Sequence, residues 1–143
     1  MLFHWEFLQL VYFGQLKLKI DMKNIKQKYQ IDSPFILFAG GIDFKKNLEG
    51  LIEAFSILPE SLKRKYQLVI VGKMDSETKK YYNQLSKKYN IESSVIYTGF
   101  VSDEDLIQLY NISEVLVFPS LYEGFPKVSK KLAIVSNFIS WSL

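Results

Sequence analysis

Two stretches hold side chains whose types and spacing could do chemistry. In the first, Gly40-Gly41 is followed by Lys45-Lys46 just before a segment of helical apolar period. Glycines let backbone N–H groups approach an oxyanion, a helix N-terminus adds partial positive charge, and lysine adds a full one. That is the chemistry of an anion site. It is equally the composition of a tight turn with two exposed lysines. The second stretch is Glu114 to Pro126, EVLVFPSLYEGFP. Here a carboxylate, Glu123, stands with Gly124 and Phe125 between a short apolar run and Pro126, and proline suits the first position of a helix. Open α/β sheets bind ligands beyond the carboxyl ends of their strands. Beside a diphosphate a carboxylate repels; facing neutral hydroxyls it accepts their hydrogen bonds. The plainer alternative is an acid in a loop that leads into a helix. Phe125 either packs under that loop or stacks on a ligand ring, and Gly124 allows a turn or a close approach.

The elements that must position these residues are legible in the hydrophobic pattern. Phe35-Ile36-Leu37-Phe38-Ala39 is a continuous apolar run of strand length, and it reads as a strand buried on both faces. From Asn47 the period changes, with Leu48, Leu51, Ile52, Phe55 and Leu58 at helical spacing. The unit repeats. A strand at 67–71 precedes a helix from Ser76 to Asn90 with Thr78, Tyr82, Leu85 and Tyr89 inward. A strand at 94–98 precedes a helix opened by Ser102-Asp103-Glu104-Asp105, a capping-box pattern, with Leu106, Leu109 and Tyr110 inward. Val115–Phe118 is the fourth strand, and Val128, Leu132 and Val135 predict a fourth helix. Strands alternating with helices imply a parallel sheet with right-handed crossovers. Each strand ends at glycine or proline: Gly40, Gly72, Gly99 and Pro119. All four following loops must then share one sheet edge. This brings Lys45, Lys46 and Glu123 to one crevice.

Composition narrows the chemistry further. There is no cysteine, which excludes disulfides, thiolate nucleophiles and cysteine-bound zinc, and the single His4 leaves little for a histidine triad or metal cluster. A net charge of +3 is mild, and the basic residues at 63–65, 79–80 and 87–88 lie among acids. They read as solvated helix faces, with no nucleic-acid partner expected. Residues 1–20 carry no basic leader and no run long enough to span a bilayer. The expected location is cytoplasmic, with peripheral attachment to a membrane left open. That segment is compatible with a strand, an amphipathic helix or a non-native start.

GGIDFKKNLEGLIEAF, YQLVIVG, VIYTGFVSDEDLIQLY and VLVFPSLYEGFP, in this order and spacing, resemble the C-terminal, donor-binding domain of GT-B glycosyltransferases. The nearest resemblance is to the retaining group 1 family (glycosyltransferase family 4), and it covers residues 30–133. It implies an α/β, Rossmann-like parallel sheet with helices on both faces, here incomplete at its C-terminal end. It implies a two-domain enzyme that takes a UDP- or GDP-linked sugar as donor substrate, with no cofactor, and transfers a hexosyl unit with retention to a glycan or lipid-linked acceptor. Basic side chains and helix dipoles would neutralise the leaving diphosphate without a metal. By the same resemblance Lys46 meets the diphosphate, and Lys45 stands where relatives have arginine, keeping the charge but losing the bidentate fork. Gly40 and Gly41 match the glycine turn, and Phe100 and Val101 match the loop that passes the nucleobase. Glu123 is the first glutamate of an E-x7-E motif and the catalytic candidate, beside the donor sugar with Gly124 and Phe125. The second glutamate would fall at Lys131, which cannot accept hydrogen bonds from ribose hydroxyls.

The expected division is an irregular segment at 1–30, a nucleotide-sugar-binding domain at 31–135 and an atypical tail at 136–143. With no acceptor half in the sequence, a truncated donor domain, inactive alone, is the leading expectation. The alternatives are the donor half of a split transferase, which needs an acceptor-domain chain as partner, and a non-functional remnant.

Overall fold

The computed structural model describes residues 21–120 and a strand at 133–136. The elements run α1 (Met22–Lys28), β1 (Phe35–Ala39), a 3-10 turn (Phe44–Lys46), α2 (Leu48–Ser56), α3 (Glu60–Lys65), β2 (Gln67–Val71), α4 (Ser76–Lys88), β3 (Val95–Gly99), α5 (Asp103–Ile112), β4 (Val115–Phe118) and β5 (Ala133–Ser136). The sheet order is β3-β2-β1-β4-β5. β1 pairs in parallel with β2 and with β4, and β2 pairs in parallel with β3. The chain therefore leaves β1 toward one sheet edge and returns to its other side at β4. This reversal makes the gap between β1 and β4 the topological switch point, where sheets of this class open a crevice.

Helices cover both faces of the sheet. On one face α2 and α4 pack Leu48, Leu51, Ile52, Phe55 and Tyr82 against Phe38, Leu68, Ile70 and Val117. On the other, Ile25 of α1 and Leu109 of α5 pack against Phe35, Leu37, Val69, Val71 and Leu116. Alternate residues of β2 serve the two cores, so Leu68, Val69 and Ile70 have no measurable exposure. That double burial is why these strands lack polar alternation.

Helix ends follow local chemistry. Asp21, Asp75 and Ser102 cap α1, α4 and α5 through side-chain oxygens that accept from Asn24, Thr78 and Asp105 N–H groups. α1 and α4 stop in the same way. Gln30 and Asn90 both take φ 57, and the next residue, Ile31 or Ile91, donates its N–H back to Lys26 or Ser86 and buries its side chain.

A short helix, α3, forms after Pro59, and Lys63, Arg64 and Lys65 lie in its last turn, as their reading as a helix face implied. One feature departs from the sequence-based expectation. Val135 lies in a strand, not in a fourth helix: β5 runs antiparallel to β4, with Val135 opposite Leu116 and Ile134 opposite Val117. The physical reason is local. Ile134 and Val135 are β-branched, and the strand closes the free edge of β4. The remaining positions of that expected helix, Val128 and Leu132, lie outside the described residues. No helix among the described residues is long and apolar enough to cross a membrane.

Candidate functional site

The carboxyl edge of the sheet is built around the connection from β1 to α2. Gly40 extends the strand by one bond, its N–H donating to Val71 O at 3.1 Å. The chain then passes over Gly72, and the fit is tight. A Cβ added at Gly72 would stand 2.5 Å from Gly40 O and 2.8 Å from Ile42 Cδ1. Asp43 opens the 3-10 turn, with Oδ1 accepting from Lys45 N at 2.9 Å. Lys45 is exposed and Lys46 is partly buried on this turn, one residue ahead of the α-helix proper.

Asn47 separates the turn from α2 and takes the left-handed conformation, φ 53 and ψ 45. Its side chain bonds twice. Oδ1 accepts from Gly50 N at 3.3 Å, capping α2, and Nδ2 donates to Pro119 O at 3.2 Å. Pro119 and Ser120 are buried just beyond β4. The two loops that flank the switch point are thus joined through one amide.

The connection from β3 completes the edge. Its pairing with β2 slips between Ile70 and Val71, so that Val71 stands opposite Gly99 and Thr98 is passed over. Such a bulge re-aims the residues after it. Gly99 follows with φ 72 and open space where a Cβ would be. The turn sends Phe100 outward, 78% exposed, and Val101 inward, 7% exposed, into the core under α5. Of the expected pair, only Phe100 offers a side chain to a ligand.

A groove of about 460 Å³ borders the 3-10 turn on the α2–α4 face, lined by Ile42, Asp43, Phe44, Glu49, Glu77 and Tyr81 among others. Phe44 is 80% exposed there. The Tyr81 hydroxyl donates to Glu49 Oε1 at 2.7 Å, and that bond to a carboxylate pushes the phenol pKa up. A second groove, about 400 Å³, lies at the opposite, amino edge beside Glu60, Lys63 and Arg64, where Lys63 and Glu60 pair at 2.6 Å.

Among the expected site residues, Gly40, Gly41, Lys45, Lys46 and Phe100 share the carboxyl edge, with Val101 behind them. Neither Gly40 nor Gly41 has positive φ. Glu123, Gly124, Phe125 and Lys131 lie outside the described residues. Sequence reasoning placed Gly72 on this edge as a strand end but missed its tight fit under the Gly40–Ile42 loop, and it missed Asn47 and Gly50 as parts of the edge. A signal existed for Asn47, since asparagine directly before an apolar-periodic run is a helix N-cap pattern. Nothing local marks its bond to Pro119, 72 residues away.

Comparison with known proteins agrees with this architecture. A family model for group 1 glycosyl transferases matches residues 21–129. The chain is 41% identical over 105 residues to the serotype-specific mannosyltransferase WbdA of Escherichia coli, a match covering 73% of this chain and 13% of that protein. This chain thus spans about an eighth of the length of the first curated relative it matches. The C-terminal domain of a group 1 family glycosyl transferase from Francisella tularensis superposes with a TM-score of 0.57 at 22% identity, covering 78% of this chain and 63% of that one. Anabaena HepE in complex with UDP and glucose superposes with a TM-score of 0.58 at 19% identity, covering 76% and 30%. These last two likenesses concern the fold. The match across residues 21–129, with which the four parallel strands β1 to β4 and their carboxyl-edge loops agree, shows that the chain belongs to the group 1 glycosyltransferase family, with the GT-B type of α/β domain.

Proposed function

We propose that residues 31–135, with α1 packed on them, form a donor-binding domain that holds a nucleotide diphospho-sugar at the carboxyl edge of the sheet. One observation carries this reading. The Lys45–Lys46 turn is tied to the end of β4 at the topological switch point through Asn47 and Pro119. A diphosphate there would meet two lysines and the N-terminal end of α2, so the positive charge that a leaving diphosphate needs comes from the chain itself. The exposed Phe100 would flank the nucleobase. Glu123 would face the sugar, where a carboxylate can accept from hydroxyls without opposing the phosphates. HepE, a fold relative, has been captured with UDP and glucose, which supports a nucleotide-sugar as the ligand class.

The reaction served is hexosyl transfer to a glycan or lipid-linked acceptor, and relatives named as mannosyltransferases support a hexose donor. Acceptor-side groups would come from a second domain or chain, so we expect no transfer by residues 1–143 alone. The test is calorimetric titration of the purified chain with UDP, GDP, UDP-glucose and GDP-mannose, beside Lys46→Ala and Lys131→Glu. Binding that falls at least about 10-fold in Lys46→Ala, the scale of one lost charge-assisted contact, is the expected result. Lys131→Glu should tighten it by restoring an acceptor for ribose hydroxyls. A folded chain that binds none of the four, or binds undiminished without Lys46, would refute the donor-site reading.

A further inference from the structure

We propose that Asn47 is a positioning residue whose side-chain amide sets the spacing between the Lys45–Lys46 turn and the loop that follows β4. The inference rests on the donor-binding reading, and it assigns the residue that holds the two halves of that site in register.

Three independent constraints meet at this position. The backbone is left-handed, φ 53, a conformation that glycine, asparagine and aspartate tolerate best. Gly50 N requires an acceptor at 3.3 Å, and Pro119 O, at a buried residue, takes a donor at 3.2 Å. Glycine meets the first demand only. Aspartate would meet the first two but present an oxygen to an oxygen at Pro119. Asparagine alone combines the conformation, an acceptor and a donor at this reach. The two bonds also settle which end of the amide is nitrogen.

Gly50 belongs to the same device. It sits in the first turn of α2 despite the poor helix propensity of glycine. A Cβ there would stand 2.6 Å from both the oxygen and the nitrogen of the Asn47 amide and 2.8 Å from its Cγ. Its φ is not positive, so no backbone demand requires glycine. The space is needed for the amide. Through this tie a shift of the 3-10 turn is transmitted to Pro119 and Ser120, and the reverse. A ligand spanning the crevice would thus find both walls already placed, which lowers the ordering cost of binding.

The test is a double-mutant cycle on the full chain: Asn47→Gly, Gly50→Ala and the pair, each followed by melting and by calorimetric affinity for UDP and UDP-glucose, or for GDP and GDP-mannose if wild type prefers them. Asn47→Gly should weaken the nucleotide-sugar about 2- to 10-fold, the worth of one neutral hydrogen bond. The nucleoside diphosphate, which lacks the sugar that the donor-binding reading puts beside the loop after β4, should weaken less. Gly50→Ala should lower the melting temperature of wild type but raise it in the Asn47→Gly background, where the amide atoms nearest the Cβ are gone and alanine favours the helix. Nucleotide-sugar affinity unchanged in Asn47→Gly would overturn the proposal. So would a Gly50→Ala shift of the same sign in both backgrounds. If the wild-type chain melts cooperatively yet binds no nucleotide, the donor reading fails, and the sign reversal alone then decides whether the tie exists.

Discussion

Replacing Gly72 with alanine isolates how tightly the β1–α2 connection is seated. The residue has no positive φ, so alanine is conformationally acceptable. Fewer conformations in the unfolded chain would even favour it by about 0.4–1 kcal/mol. Against that, the new Cβ would lie 2.5 Å from Gly40 O and 2.8 Å from Ile42 Cδ1. Ile42 can rotate away, but the carbonyl cannot move alone, because Gly40 N is bonded to Val71 O in the same strand extension. Ordinary contact requires roughly 1 Å of relief, and overpacking of this kind costs about 1–3 kcal/mol. Taking the middle of each range, about 2 against about 0.7 kcal/mol, the expected net loss is about 1.3 kcal/mol. For a chain of this length that is a fall in melting temperature of roughly 4–6 °C, read by thermal unfolding, with urea unfolding as the check on the free energy. Because the displaced segment leads into the Lys45–Lys46 turn, nucleotide affinity should fall with it. A Gly72→Ala chain as stable as wild type, or more so, would refute the steric argument and leave only the unfolded-state gain. Gly99 supplies the contrast: its φ of 72 with open space means that Asn should be better tolerated than Ala there, the reverse of the order at Gly72.

Other outcomes follow from the packing. Asp105, held below the usual carboxylate range by the Lys28 ammonium and then the Tyr29 hydroxyl, ties α5 to α1. A depressed carboxyl stabilises above its unfolded pKa and loses that contribution as pH falls through the folded one. Asp105→Asn should therefore cost about 1–3 kcal/mol at pH 7 in urea unfolding and progressively less in acid. Tyr29 is pushed up to about 12, by burial first and then by the bond to Asp105. Its contribution is complete below pH 10 and lost as pH rises toward 12, so the alkaline unfolding limb should move in Tyr29→Phe, with phenolate absorbance as the check. Leu109→Ala, at a fully buried position, should cost about 2–5 kcal/mol of stability. Phe100→Ser, by contrast, should stay within about 0.5 kcal/mol of wild type in unfolding while weakening nucleotide binding in titration.

Much of the scaffold could be read from the pattern of residues. The runs at 35–39, 67–71 and 115–118 are strands as expected, because fully buried parallel strands are uninterrupted apolar runs bounded by breakers. Leu48, Leu51, Ile52 and Phe55 are the buried stripe of α2. Ser102 caps α5 as its pattern implied, but the reciprocal half of the capping box is diverted: the Asp105 carboxylate turns to Lys28 and Tyr29. The expected fourth helix failed at Val135 because a spacing of i, i+4, i+7 built from three residues is weak evidence against a β-branched run beside an unpaired strand edge.

By itself the sequence determined the alternation of strands and helices, the sharing of one sheet edge by Gly40, Lys45, Lys46 and Phe100, and the family resemblance. The first two follow from local periodicity and from the rule that parallel crossovers return on one side; the resemblance rests on the four motifs in their order and spacing. Tertiary structure alone decided the strand order and hence the switch point between β1 and β4. It also decided that Val101 faces the core, that Gly72 is required by a neighbouring loop, and that Asn47 bonds to Pro119. Each of these depends on which distant segment lies alongside, and hydrophobic patterning specifies only that a face is buried, not the partner that buries it.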